Sequence, residues 1–255
     1  MDYWVVMAIV AIAVVAVLIA VGSDEEAPEP QENRSAGRSI WVAIGTNGNA
    51  PADSAATRPR HWADLVGVSL GEHVIAYDFT RAGCTADEAQ QDQLAAAVAT
   101  APDVVSILLG PDDFRDAEDL GSFERRLWHI LTTIRDAGGT PVLASLPDLT
   151  GLPSLAAEED ATALGEELQT WNVAIARIVA AADGELVASA GDQCGSSEEL
   201  FTERGGRFIL TDAGHRWFAS LMEQPVRRLL GLVEKIDTPT VAHGTASPPL
   251  LTEPE

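Results

Sequence analysis

Three aspartates stand directly after short apolar runs of the chain. Asp112 and Asp113 follow one run, and Asp148 follows another. Because such runs are typical of buried strands, we expect these side chains to lie above the same edge of a sheet. Three carboxylates can hold Ca²⁺ or Mg²⁺, so a metal site is one alternative that the residue types allow.

Histidine and cysteine offer less chemistry. The two cysteines, Cys84 and Cys194, lie in predicted loops, where they could form a disulfide in an exported domain. Cys84 acting as a nucleophilic thiol is the other alternative, but no histidine is spaced to activate it. Four histidines have no partner at metal-binding spacing and are interpreted as packing or surface residues: His61, His73, His129 and His243. The sequence predicts no cofactor.

The composition excludes several classes of protein. The chain has 255 residues, 16 basic and 39 acidic side chains and a formal net charge of −23. So acidic a chain is unsuited to nucleic-acid phosphates. Two cysteines cannot form a disulfide framework or a four-cysteine zinc site. A hydrophobic content of 46% excludes a disordered acidic tail.

Strand and helix patterns alternate through the body of the chain. Strands are predicted at Ser39–Ile44, His73–Phe79, Val104–Leu109, Pro141–Ser145 and Glu185–Ala188. Helices are predicted at His61–Leu70, Thr85–Thr100, Ser122–Ala137, Asp160–Ala182 and Thr211–Val233. This alternation predicts a single three-layer α/β domain with a parallel sheet. The loops facing its crevice are Gly45–Arg60, Thr80–Cys84, Gly110–Arg115, Leu146–Pro153 and Gly191–Ile209.

The N-terminus carries an unbroken apolar run from Trp4 to Val21. Its length approaches the roughly 20 residues that span a bilayer, and no basic residue precedes it as in a signal peptide. We therefore predict a transmembrane anchor at residues 1–21, although Ala20-Val21-Gly22 would also suit a cleavage site. The first basic residue beyond the run is Arg34, so the positive-inside rule favours a domain outside the cytoplasm.

The predicted organisation has four parts. The anchor at residues 1–21 precedes an acidic, flexible linker at 22–37, the folded domain at 38–236, and a disordered, proline-rich tail at 237–255.

Six short segments of the predicted domain resemble, in order and spacing, the sequence blocks of the SGNH (GDSL-type) hydrolase family. They are Ile40–Gly45, Thr80–Gly83, Leu108–Asp113, Leu146–Leu149, Trp171–Ile175 and Leu210–Arg216. The resemblance implies a doubly wound, flavodoxin-like order of five parallel strands. It also disfavours a metal site, because members of the family carry aspartates at the positions of Asp113 and Asp148 without binding a metal there.

The family's catalytic residues carry over poorly. In the family a serine attacks an acyl carbonyl, a histidine takes its proton, and an aspartate orients the histidine. The serine N–H, a glycine N–H and an asparagine side chain stabilise the oxyanion. In this sequence, Asn47 stands at the position of the family's serine, Ile209 at that of the histidine and Gly206 at that of the aspartate. Gly83 stands at the position of the oxyanion glycine, and Asp112 at that of the asparagine. Only the glycine is retained.

Each change has a chemical consequence. The amide of Asn47 is not a nucleophile, and Ile209 cannot accept a proton. A carboxylate at Asp112 would repel a developing oxyanion unless a strongly raised pKa kept it protonated. One rescue remains as a hypothesis: Asp212 and His215 have the Asp-x-x-His spacing of the missing block, and a shifted loop would make them orienter and base.

Three functions follow from these observations. The first is a catalytically inactive, membrane-anchored binding or accessory subunit of an envelope or membrane-protein complex, for which the acidic surface favours a basic partner. The second is an active esterase or acyltransferase that uses Asp212 and His215. The third is a lipid- or glycan-recognising module that keeps the old pocket.

Overall fold

The computed structural model describes residues 37–47, 61–116, 118–156, 160–189, 197–204 and 206–232. The predicted anchor and most of the predicted linker and tail lie outside these ranges. Among the described residues, no helix combines the length and apolar character needed to cross a membrane.

A five-stranded parallel sheet forms the centre of the domain, in the order β2-β1-β3-β4-β5. This confirms the predicted parallel sheet and its flavodoxin-like order. The strands are β1 (Ser39–Gly45), β2 (Val74–Asp78), β3 (Val104–Leu108), β4 (Thr140–Ala144) and β5 (Glu185–Val187). Nearly every side chain of β1, β3 and β4 is buried, as expected for strands covered on both faces.

Helices cover both faces of this sheet. Two of them, α1 (Trp62–Leu70) and α8 (Asp212–Leu229), pack together on one face. The longer elements of the other face are α2 (Ala86–Glu88, a π-helical turn at Ala89–Gln93, and Leu94–Ala99), α4 (Leu120–Asp136) and α6 (Ala161–Ala181). The short helices are α3 (Pro111–Arg115), α5 (Pro153–Ala156) and α7 (Ser197–Leu200).

The start of α2 follows the local sequence signal. The Thr85 hydroxyl accepts the Glu88 N–H, and the Glu88 carboxylate accepts the Thr85 N–H, which is the capping box that their spacing predicts. The π-helical turn was not predicted. It places Gln93 so that its side-chain amide binds both the N–H and the carbonyl of Gly45, at 2.6 and 3.2 Å.

A small antiparallel hairpin follows the sheet. Its strands are β6 (Phe201–Arg204) and β7 (Arg207–Leu210), and its turn contains Gly206. The predicted loop Gly191–Ile209 is therefore wrong for residues 201–204 and 207–209, which form strands. The alternating buried and half-buried residues of this short hairpin escaped detection because its stabilising partners lie far away in the sequence.

Candidate functional site

Asn47 lies at the carboxyl end of β1, at the family's nucleophile position. Its N–H donates to the carbonyl of Arg81 at 3.1 Å, and its side-chain Nδ2 donates to the carbonyl of Thr80 at 3.3 Å. Both bonds tie Asn47 to the loop that follows β2. The side chain therefore bridges two loops of the crevice, and its amide brings no nucleophile to the strand end.

The Gly83 N–H is engaged within the chain. It donates to the Thr46 hydroxyl at 3.0 Å, and Thr46 is buried. The resemblance assigned this N–H to an acyl oxyanion. Because one N–H carries one proton, Thr46 competes directly with any such oxyanion.

Arg207 of the hairpin lies across Gly83. Its guanidinium donates to the Gly83 carbonyl. Gly83 has a φ of +61°, and a Cβ at this position would lie 2.5 Å from Cδ of Arg207. Only glycine accommodates both the backbone conformation and the overlying side chain. The hairpin thus packs directly on the glycine that the family uses for catalysis.

Asp112 is fully buried at the family's asparagine position. Its Oδ1 accepts hydrogen bonds from Nη1 of Arg115 at 2.8 Å and from the Phe208 N–H at 3.2 Å. Oδ2 is buried and accepts no hydrogen bond from the described residues. Burial raises the pKa of this carboxyl, while the Arg115 charge and the Phe208 N–H oppose that rise. Asp112 therefore acts as an acceptor within the protein.

Arg115 completes this contact between the crevice and the hairpin. Its side chain is only 9% exposed, and it also binds Asp116 at 2.6 Å. The guanidinium lies over the Phe208 ring, with Cζ 5.4 Å from the ring centroid. Asp112, Arg115 and Phe208 together fix β7 against the carboxyl end of the sheet.

The hairpin also carries the two remaining catalytic positions of the family, those of the histidine base and of the aspartate that orients it. Ile209 belongs to β7, and because strand side chains alternate, it shares a face with Arg207. That face is the one from which Arg207 reaches Gly83, so the side chain at the base position is directed to the crevice and is aliphatic. Gly206 lies in the turn with a φ of +69° and offers no carboxylate.

The three aspartates that follow β3 and β4 do not form a metal site. Asp113 accepts the Ala86 N–H on Oδ1 and the Gly110 N–H on Oδ2, and burial raises its pKa to about 6. Asp148 accepts the N–H and hydroxyl of Thr150. Across the described ranges, no group of three His, Cys, Asp or Glu side chains is arranged to hold a metal ion. The metal alternative is therefore not supported by these residues.

Asp212 and His215 both lie in the first turns of α8. His215 is buried, and its Nδ1 accepts the Trp62 N–H at 3.2 Å, at the first residue of α1. Burial first, and the nearby His61 second, lower the pKa of His215 to about 4. The ring is therefore neutral at pH 7, with a pKa well below the range in which a general base works best.

A second histidine, which the sequence analysis interpreted as a packing residue, contacts two carboxylates. Nε2 of His61 lies 3.2 Å from Oδ2 of Asp78 and 3.4 Å from Oδ2 of Asp64. Its ring centroid is 6.5 Å from that of His215. The i,i+3 spacing of His61 and Asp64 was a visible signal. The contact with Asp78 was not, because it joins α1 to β2 across the fold.

Cys84 is buried and forms no disulfide with any described residue. Nε2 of Gln93 approaches its Sγ at 3.1 Å, and burial raises its pKa to about 12. A thiol with so high a pKa is protonated and unreactive at neutral pH, which disfavours the nucleophilic alternative. Cys194 lies outside the described residues, so its pairing with Cys84 stays a prediction.

Comparison with known proteins places this geometry in a family. Residues 39–217 match the model of the GDSL-like lipase/acylhydrolase family. No curated protein matches the sequence significantly.

Solved structures share the fold at low sequence identity. The crystal structure of TesA matches 74% of this chain and 99% of its own, with 16% identity and a TM-score of 0.57. A psychrotrophic esterase, EstA from Pseudoalteromonas sp., matches 75% of this chain and 98% of its own, with 14% identity and a TM-score of 0.56. A GDSL-like lipase from Bacteroides thetaiotaomicron matches 74% of this chain and 88% of its own, with 15% identity and a TM-score of 0.54. These structures show that the fold is shared. The family model spans all five strands of the sheet and well over half of the chain, so the chain belongs to the GDSL-like lipase/acylhydrolase family, the SGNH-type family that its sequence resembles.

Proposed function

We propose that this chain is a catalytically inactive member of its family, anchored in a membrane by residues 1–21. Its domain lies outside the cytoplasm and acts as a binding or accessory subunit of an envelope or membrane-protein complex. The apolar run Trp4–Val21 and the scarcity of basic residues beyond it support the anchor and its orientation.

One observation carries the loss of catalysis: the chain's own groups occupy the oxyanion hole. The Gly83 N–H donates to Thr46, and Asp112 accepts from Phe208 and Arg115. Removing a single oxyanion donor costs about 10²–10³ in rate, and here the glycine N–H is engaged while the asparagine is replaced by a carboxylate. Asn47 and Ile209 add the loss of nucleophile and base.

The rearranged esterase is less well supported. It needs His215 as a base, but this ring is buried with its Nδ1 bonded to the Trp62 N–H. Asp212 lies in the first turn of α8, where a carboxylate also stabilises the helix dipole without any catalytic role.

Activity-based labelling tests the proposal. The full chain in mild detergent is treated with a fluorophosphonate probe and assayed with short-chain p-nitrophenyl esters across pH 5–9. We expect neither labelling nor turnover above buffer, while a family esterase that keeps its serine reacts under the same conditions. Turnover that disappears in Asp212→Asn, an exposed position where folding is not at risk, would establish the rearranged site instead.

The anchor and the accessory role need separate experiments. Reporter fusions at the C-terminus should be active only outside the cytoplasm, and the mature protein should keep its N-terminus. A fusion that is active only in the cytoplasm would reverse the orientation. Purification from membranes in mild detergent should retain a stoichiometric partner protein, whereas recovery of the chain alone would contradict the accessory role.

A further inference from the structure

A groove of about 230 Å³ lies between α1 and the strand β2. Gly67 and Val68 of α1 line one side, and Ala76 and Tyr77 of β2 line the other, with the edge of the Trp41 ring between them. Most of this lining is apolar. Val68, which is 65% exposed, is part of this apolar lining.

The missing side chain of Gly67 keeps the groove open. A Cβ at Gly67 would lie 3.4 Å from Cβ of Ala76 and 3.6 Å from the Trp41 ring, so even alanine would fill part of the floor. Glycine inside a helix costs about 1 kcal/mol relative to alanine. The open floor is therefore maintained at a cost to the stability of α1.

The strand beside the groove is an edge strand. β2 pairs with β1, and no second strand pairs with β2 in the described part of the chain. Ala76 and Asp78 are exposed, and the strand carries no lysine, arginine or proline to discourage pairing. The rings of Tyr77 and Phe79 stack on the opposite face, with centroids 6.3 Å apart. A strand added here would contact apolar side chains on both faces.

Two carboxylates stand at one end of the groove. Asp64 and Asp78 share a single histidine, His61, so this end carries two acidic side chains and one basic one. Both residues line the groove, and the side chain of Asp64 is half exposed. The groove therefore joins an apolar floor to an anionic end.

We propose that this groove binds an extended, basic segment of a partner protein, which adds to β2 as a strand. Main-chain hydrogen bonds to the edge of β2 that no described strand occupies supply affinity, as in other cases of strand addition. An apolar side chain of the segment covers Gly67 and Val68, and a lysine or arginine binds Asp64 and Asp78. This inference rests on the proposed binding function and names the chemistry of its partner.

A second copy of the chain fits the groove less well. Two copies paired through β2 would bring together strands that each carry Asp78 and no basic residue. Each copy also has a formal net charge of −23, so long-range repulsion opposes their association. A basic partner reverses the sign of both effects.

Peptide binding to the full chain in mild detergent tests the proposal. The probe is a fluorescent, end-capped nonapeptide of alternating valine and arginine, measured by fluorescence anisotropy. Its first control has glutamate in place of arginine, and its second has N-methyl groups on every amide, which removes the donors on both edges of the strand. We expect the basic probe to bind at least ten-fold more tightly than either control. Equal binding of the N-methylated peptide would overturn strand addition.

Two matched variants locate the site. Val68→Lys adds a cation at the groove, and Val173→Lys adds the same charge on α6, where the valine is 62% exposed. Val68→Lys should weaken the basic probe at least ten-fold and Val173→Lys less than two-fold. Hydrogen exchange should slow at β2 amides when the probe binds to the wild type. Equal losses in both variants, or protection elsewhere only, would show non-specific attraction to an acidic protein and overturn the proposal.

The two proposals fail separately. Ester turnover by the wild type would end the proposal of catalytic inactivity and leave probe binding unchanged, because no residue that lines the groove holds a catalytic position of the family. If the probe does not bind at the groove and the wild type shows no ester turnover, the proposed binding surface is overturned and the proposal of catalytic inactivity stands.

Discussion

The crevice above the strands and the groove beside β2 use their hydrogen-bonding groups in opposite ways. In the crevice, the Gly83 N–H donates a hydrogen bond to the Thr46 hydroxyl, and the Asp112 carboxylate accepts one from the Phe208 N–H of the hairpin. At the groove, the edge of β2 meets no second strand among the described residues, and Val68 stands exposed beside it. In the described part of this α/β scaffold, the strand ends are therefore closed by the chain's own groups, whereas β2 is paired with a strand on one side only.

The largest effect should come from breaking the closed region. In Asp112→Ala, buried Arg115 loses a partner and the Phe208 N–H is left without an acceptor. Removing one member of a buried ion pair costs about 3–5 kcal/mol. We expect a loss of this size in the free energy of unfolding, measured in urea. Asp112→Asn keeps one acceptor oxygen and should lose clearly less; equal losses would mean that the charge alone holds the hairpin.

The pH dependence of the free energy of unfolding tests the contribution of His215, whose Nδ1 accepts the Trp62 N–H at the start of α1. The pKa of His215 is lowered from 6.5 to about 4, so between these pH values the unfolded chain binds a proton at this ring and the folded chain does not. The stability associated with this ring is complete above pH 6.5 and is lost as the pH falls towards 4, by about 3 kcal/mol. Asp113, whose pKa is raised to about 6, has the opposite sign, because its folded form gains protons over much the same range.

A variant separates these two contributions. His215→Asn offers an acceptor to the Trp62 N–H but does not titrate, while Asp113 is unchanged. Unfolding in urea at pH 7 and pH 4.5 should show a smaller loss of stability for the variant than for the wild type. Parallel losses would show that His215 does not control the acid sensitivity.

Sequence reasoning succeeded where the signal was local. The apolar runs located all five strands of the sheet to within one residue at each end, and Thr85 with Glu88 marked the start of α2. It failed for the hairpin, because Phe208 is held by Asp112, which is 96 residues away. It also could not anticipate that the Gly83 N–H would bond to Thr46, since a retained glycine looks the same whether its N–H is free or engaged.

A smaller, stabilising effect is expected at the groove. Gly67→Ala removes the helix penalty of glycine, worth about 1 kcal/mol, and its Cβ meets Ala76 at ordinary contact distance. Thermal unfolding should move to higher temperature, while the basic nonapeptide binds less tightly. A variant that is both more stable and equally able to bind the peptide would show that the glycine does not serve the groove.

The smallest expected effect concerns the closed site. Asn47→Ser restores the family's nucleophile but leaves Ile209 at the base position and Gly83 bonded to Thr46. We expect no turnover of p-nitrophenyl esters above buffer. Measurable turnover by this single variant would show that the crevice still admits and activates a substrate.

The pairing of α1 with α8 has a consequence for how the chain is made. The Trp62 N–H meets His215 across 153 residues of sequence, and Arg227 reaches the Ser69 carbonyl across 158. Contacts of such long range form late in folding. The helix α1 therefore gains its contacts with α8 only after α8, the last of the described helices, has left the ribosome. Until then the fold of the nascent chain is incomplete.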